Sequence, residues 1–349
     1  MFSNKRMTTN RDHRLDIFRS LTMIHIVCVI HVIYWIKIFD EPWRSLLLFE
    51  MPAIFFIAGA SQSLKKDCSM SLFKEMSALF VNRVRRVLVP YYAFLAVFYV
   101  VMAVCTWCFD CALDYDLRKL SAADIVKTIA TGGSDNINFY GHTWFISCYL
   151  IVSLLLPVYK RIMTLIGKYN FLVCNILVII YLSYVEFPIG DIMVKNIPLY
   201  SFFYMCGYCF YRGIKRNMFI VVATLSTIVT IVFFLSGIAM PMQDHKFPAD
   251  YVFLCYGISA LSLLSLVFRR ISVPHSKLLS LWNTEGYNIY LYQALTYSVA
   301  VFLCRPLAAA TNSHLALFAA YSAIIFILST LLAIIIRGVK TLHQNSPYR

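Results

Sequence analysis

Acidic side chains are scarce in this sequence: 17 Asp and Glu stand against 31 Lys and Arg, and charged residues of every kind fill only 14 % of 349 positions. A soluble globular domain carries about 25 % charged residues, so this composition excludes an ordinary soluble enzyme fold. No polar stretch of domain size separates the apolar runs between residues 21 and 336, which excludes a second, water-soluble domain there. No internal repeat or low-complexity tract stands out either. The 11 cysteines are odd in number and mostly embedded in apolar runs, so they read as small hydrophobes and not as a disulfide framework. Cys105, Cys108 and Cys111, or Cys206 and Cys209, would share a helix face, but neither set has a histidine or carboxylate to complete it, and no metal site is expected. No Ser or Cys sits in a recognisable nucleophile motif.

What the chain has in abundance is apolar sequence: 60 % hydrophobic residues and a mean hydropathy of +0.71. A membrane helix needs roughly 20 consecutive, mostly apolar residues. Ten segments meet that need, at about 21–39, 46–64, 87–108, 144–166, 171–187, 197–211, 218–239, 251–268, 288–304 and 315–336. The expected fold is therefore an all-α integral membrane protein of about ten transmembrane helices. Its parts are an N-terminal segment (1–20), one membrane domain (21–336) and a short tail (337–349).

Lys and Arg favour the cytoplasmic side of a membrane protein. With a cytoplasmic N-terminus, 23 basic and 5 acidic residues fall inside and 8 basic and 12 acidic outside, giving 23 − 5 = +18 and 8 − 12 = −4, which sum to the formal +14. Both termini are then cytoplasmic. The same split accounts for the basic charge without nucleic acid, and no nucleic-acid partner is expected. The first apolar run keeps its histidines and lacks a small-residue cleavage site, so it reads as an uncleaved first helix.

An ionisable group near the bilayer centre costs roughly 2.5–3.5 kcal/mol on insertion scales, which makes each one a candidate for function. The first helix holds three: Arg19 at its entry, and His25 and His31 deeper in. Imidazole titrates near neutrality and suits proton transfer to and from a hydroxyl, although an interhelical hydrogen bond is the plain alternative for either histidine. Arg83, Arg85 and Arg86 precede the third span; guanidinium groups fork onto phosphate oxygens, and equally anchor a helix to the inner surface. On the outer side, His142 and Trp144 open the fourth span, Glu50 lies near the second and Gln293 in the ninth. The loop Thr131–Asn136 reads as an exposed connection, or as a lid over a polar acceptor such as a sugar.

Several of these residues fall in short motifs with a fixed order. Arg11-Asp12-His13-Arg14-Leu15-Asp16-Ile17-Phe18-Arg19 leads into a histidine-bearing first helix, and Met51 to Gly59 forms a second-helix signature. Arg83 to Arg86 with Pro90 and Tyr91, then His142-Thr143-Trp144-Phe145, then Phe202 to Gly207, then Asn288 to Tyr292 follow in turn. Together they resemble the acyltransferase-3 family of membrane O-acyltransferases, and the opening is similar to its glucan-succinylating branch. The resemblance implies acyl transfer from cytoplasmic acyl-CoA, not tightly bound, to a hydroxyl of an envelope polysaccharide or lipid-linked glycan in a bacterial inner membrane. Acetyl is the default group and succinyl the alternative. It also implies that His31 is the catalytic base, that Arg19, Arg83 and Arg86 position the charge of CoA, and that membrane lipid surrounds the whole.

The chain departs from the family pattern twice. Eleven residues separate Arg19 from His31 where the family has ten, and the resulting twelve-residue step turns an ideal helix by about 120°. A π-bulge would absorb the additional residue; without one, His25 is the alternative base. Gln293 stands where many members have histidine. Two other readings compete with the enzyme: a transporter or flippase of lipid-linked sugars, which would tend to show inverted repeats, and a non-catalytic partner in envelope biosynthesis.

Overall fold

The computed structural model describes residues 12–65, 71–109, 115–132, 140–188, 190–211, 213–270 and 276–344. Arg11 of the opening motif, Cys111 and most of the 131–136 loop lie outside them. Apart from one isolated antiparallel bridge between Lys246 and Ala249, the described secondary structure is helical. Each of the ten expected segments overlaps a helix, although 37–39, 47–49, 184–187 and 236–239 are not helical. Six helices are long and apolar enough to cross a membrane, and a seventh span arises if Gly141–Leu154 and Leu156–Ile166, bent by 45°, count as one. Lys168–Ser183 and Tyr251–Val267 are shorter apolar helices.

Several helix boundaries follow directly from local chemistry. Ser121 and Asp124 form a reciprocal capping box at the start of Ala122–Thr131. Pro157 stands in the first turn of Leu156–Ile166, where a missing N–H costs nothing, and Gly167, at φ +83°, ends that helix and turns the chain into Lys168–Ser183.

The chain divides into two compact units. The first comprises residues 1–19, 48–76 and 155–273; the second, residues 20–47, 77–154 and 274–349.

In the first unit, Glu50–Ser63 (α1) packs against Asp191–Phe210 (α2) through two glycines. A Cβ on Gly59 would sit 1.8 Å from the Tyr204 carbonyl oxygen, and one on Gly207 would sit 2.0 Å from that of Phe56. Small residues let two membrane helices approach until their backbones touch, and dispersion forces then act over the whole contact. The end of this pair that holds Glu50 and Asp191 is polar. Glu50 is 2 % exposed and accepts from Lys246 Nζ at 2.5 Å, while buried Asn196 accepts from the Ala249 N–H at 3.0 Å. Lys195, also buried, pairs with Asp191 at 3.0 Å.

Close by in sequence, His245 uses both ring nitrogens. Nδ1 lies 2.6 Å from Asp250 Oδ2 and Nε2 lies 2.5 Å from the Ile238 carbonyl oxygen. Two acceptors require two donors, so the arrangement selects the imidazolium. The Asp250 hydrogen bond accordingly raises the His245 pKa above its ordinary value, against an opposing desolvation.

Two predictions follow from this unit, both read by thermal unfolding in detergent. Lys246→Met strands the Glu50 carboxylate and should cost about 3–5 kcal/mol, whereas Glu50→Gln combined with Lys246→Met should recover most of that loss; equal losses in the single and double variants would refute a paired charge. The His245 contribution should be complete below pH of about 6.5 and disappear as pH rises through the raised folded-state value. The stability difference between wild type and His245→Gln should therefore shrink toward alkaline pH; a difference that grows there would have the wrong sign.

Candidate functional site

The site is built in the second unit around an irregular stretch of the first helix, His13–Ile36. Residues Ile26–Ile30 form a π turn, and the His31 N–H closes it by bonding back five residues to the Ile26 carbonyl. A π turn takes up one residue more than an α turn. The twelve-residue step from Arg19 thus keeps the helical phase of an eleven-residue step, about 20° off alignment and not about 120°. Such a turn leaves carbonyls off the regular ladder. Two are met from other helices: Tyr297 on Lys277–Ala310 (α3) donates to the Val27 carbonyl at 2.5 Å, and Ser322 on His314–Gln344 (α4) donates to that of Cys28 at 2.7 Å.

The His31 ring is held on several sides. It stacks face to face on Trp35, one turn further along, at 4.3 Å and 3°. Its Nδ1 lies 2.7 Å from Gln293 Oε1. The His142 and Tyr290 rings each centre 6.2 Å away. Tyr290 itself donates to the His142 carbonyl at 2.5 Å, and Trp35 meets the edge of Tyr297 at 4.7 Å. His142 is buried on the short turn Gly141–Trp144, and Trp144 is half-buried at the end of that turn. Gln293 is wholly buried, and its Nε2 has no hydrogen-bond partner among the described residues.

The basic motif repeats the same backbone device. Leu72–Cys108 is one long helix with a π turn over Val84–Leu88. Pro90 supplies no N–H just beyond that turn, and Tyr287 donates to the Val87 carbonyl at 3.0 Å. The three arginines part company here. Arg85 and Arg86 are exposed, whereas Arg83 is 6 % exposed, with its guanidinium over the Tyr149 ring at 5.1 Å. Arg83 Nε and one terminal nitrogen have no hydrogen-bond partner among the described residues. From Arg83 a ladder of rings continues through Tyr149, Phe145 and Tyr290 to His31, with successive centroid separations of 6.2, 4.8 and 6.2 Å after the first contact.

The other anticipated residues lie elsewhere. His25 Nε2 is 3.0 Å from the Leu47 carbonyl oxygen, an interhelical contact of the plain kind. Arg19 belongs to the first unit, where it donates to Ser61 Oγ at 2.6 Å and lies 3.5 Å from Asp16. Glu50 is also in the first unit, on Lys246. The second unit thus brings together His31, His142 and Gln293, and connects them to Arg83. The roles of Trp35, Tyr149 and Tyr297 are not visible from motifs, although Tyr290, Gln293 and Tyr297, spaced three and four apart, mark one polar stripe on an otherwise apolar helix. No group of three His, Cys, Asp or Glu side chains able to hold a metal occurs among the described residues.

A family model described as an acyltransferase domain matches residues 12–347. The chain therefore belongs to the acyltransferase-3 family, and with its long apolar helices it is an integral membrane acyltransferase. No curated protein and no solved structure gives a match.

The π turn beside His31 depends on its borrowed donor. Tyr297→Phe leaves the Val27 carbonyl buried without that partner and should lower stability by about 1–3 kcal/mol, measured by thermal unfolding in detergent. An unchanged unfolding midpoint would show that the carbonyl needs no such support.

Proposed function

We propose that this protein transfers an acyl group, acetyl in the first instance and succinyl as the alternative, from acyl-CoA to a hydroxyl of an envelope polysaccharide or lipid-linked glycan in a bacterial inner membrane. The observation that carries this reading is a buried, incompletely bonded Arg83 guanidinium joined by aromatic rings to a tightly held imidazole. A buried cation with free donors is costly unless an anion completes it. The phosphates of CoA are such an anion, and guanidinium binds phosphate oxygens through paired hydrogen bonds. Exposed Arg85 and Arg86 would draw the same charge to the mouth.

The thioester then reaches His31. The unprotonated ring nitrogen takes the proton of the acceptor hydroxyl as its oxygen bonds to the thioester carbon. The carbon–sulfur bond breaks as the tetrahedral intermediate collapses, and the proton passes from His31 to the leaving CoA sulfur. The products are an ester and free CoA. His142, beside the imidazole, and Trp144, two residues further on, would line the acceptor side. Arg19, at the entry of the first helix, would add cationic charge for the donor.

The charge count is what supports about ten spans with both termini cytoplasmic, and long-range ion pairs each join two residues that it assigns to one side. Lys160 with Glu75 and Lys340 with Glu285 join residues that charge counting assigns to the inside, and Lys246 with Glu50 joins two assigned to the outside. Donor charge at the inner face and acceptor groups at the outer face fit that topology.

The test is transfer of radiolabelled acetyl from acetyl-CoA to envelope glycan in membranes containing wild type, His31→Ala or His25→Ala, repeated with succinyl-CoA. Loss of at least about 100-fold with His31→Ala, as expected for removal of a general base, and retention with His25→Ala would support the reading. Absence of transfer from either donor by wild type would overturn it in favour of a transporter or a non-catalytic partner.

A further inference from the structure

Gln293 is wholly buried and faces His31 with its carbonyl oxygen, 2.7 Å from Nδ1. An amide oxygen only accepts, so the proton of this hydrogen bond belongs to Nδ1 and the lone pair of the ring is left on Nε2. The other end of the same amide, Nε2 of Gln293, is a donor with no partner among the described residues.

We propose that Gln293 is a positioning residue for the acyl-transfer reaction: by accepting from Nδ1 it makes His31 a base at Nε2 alone. The inference rests on the acyltransferase reading given above. A neutral partner is suited to this task. A carboxylate would fix the same tautomer but would also favour the imidazolium, which cannot take a proton; the amide fixes it without adding charge. The titratable groups whose rings lie beside His31 are His142 on its short turn and Tyr290 on α3; Trp35 stacks on the ring from the same helix, with Tyr297 against Trp35 in turn.

The balance of the step is unchanged by this assignment. The hydroxyl proton moves to His31 Nε2, the new C–O bond forms while the carbonyl π pair moves onto oxygen, and Nδ1 keeps its proton hydrogen-bonded to Gln293 throughout. The pair returns as the carbon–sulfur bond breaks.

Three measurements on the full-length protein test it. In wild type with ¹⁵N-labelled histidine, solid-state NMR should find the His31 proton on Nδ1; a proton on Nε2 would overturn the assignment whatever the activity. Gln293→Met removes the acceptor that holds Nδ1 and should lower kcat by about tenfold or more with KM for acyl-CoA nearly unchanged, and retention of kcat within about twofold would overturn the proposal. Gln293→Glu keeps an acceptor for Nδ1 but adds negative charge, so the rising limb of its pH–rate profile should move to higher pH; a wild-type profile would overturn the proposal. If wild type transfers no acyl group while its His31 proton is on Nδ1, the acyltransferase reading fails and the hydrogen-bond assignment survives.

Discussion

The hydrogen bond from the His31 N–H to the Ile26 carbonyl, five residues back, is the constraint on which the site depends. An α-helical bond to Val27 would have turned the imidazole by about 100°. The Val27 carbonyl passes instead to the Tyr297 hydroxyl, and that of Cys28 to Ser322. Each partner comes from a different helix, so the backbone irregularity and the packing of α3 and α4 specify one another. Tyr297 and Gln293 are one turn apart on α3. The helix that supports the distorted backbone therefore also delivers the amide to the imidazole.

Polar chemistry is handled in two ways in the two units. Around His31 the partners are an amide, an indole and phenols, groups with dipoles but little formal charge. At the Glu50 end of α1 and the Asp191 end of α2 the groups carry full charges and cancel in pairs, buried Lys246 with buried Glu50 and buried Lys195 with half-buried Asp191. Charged pairs tolerate burial only when both members are present, which suits structural positions. The base proposed here, which would gain and lose a proton, is better served by neutral surroundings, where neither state is locked in place.

The order of helices was legible from apolar runs because a bilayer imposes a minimum length on them. Their ends were less so. The apolar run of 288–304 marks only part of the helix Lys277–Ala310, because Asn283, Thr284 and Glu285 interrupt its apolar residues without ending the helix, which still buries Leu281 and Trp282. The sixth looked short because Asp191, Lys195 and Asn196 lower its hydropathy, and only their burial and pairing explain how 20 residues hold together there. At the site, histidine, arginine and glutamine stood out as polar residues in apolar surroundings. What they touch did not. Arg83 and Arg86 are equivalent in a sequence motif, and only the packing of Tyr149 buries the first while the second stays exposed. Glu50 finds its cation 196 positions away, beyond the reach of any local pattern.

The π turn also changes what the number of residues between Arg19 and His31 means. A helix that stores one surplus residue as a bulge presents its side chains downstream as though that residue were absent. Losing a residue between Ile26 and Ile30 would restore an unbroken helix with His31 still in phase, while losing one between Arg19 and the bulge would swing it away. The direction in which His31 points thus depends on where in the helix a residue is lost, and not only on how many residues lie between the two.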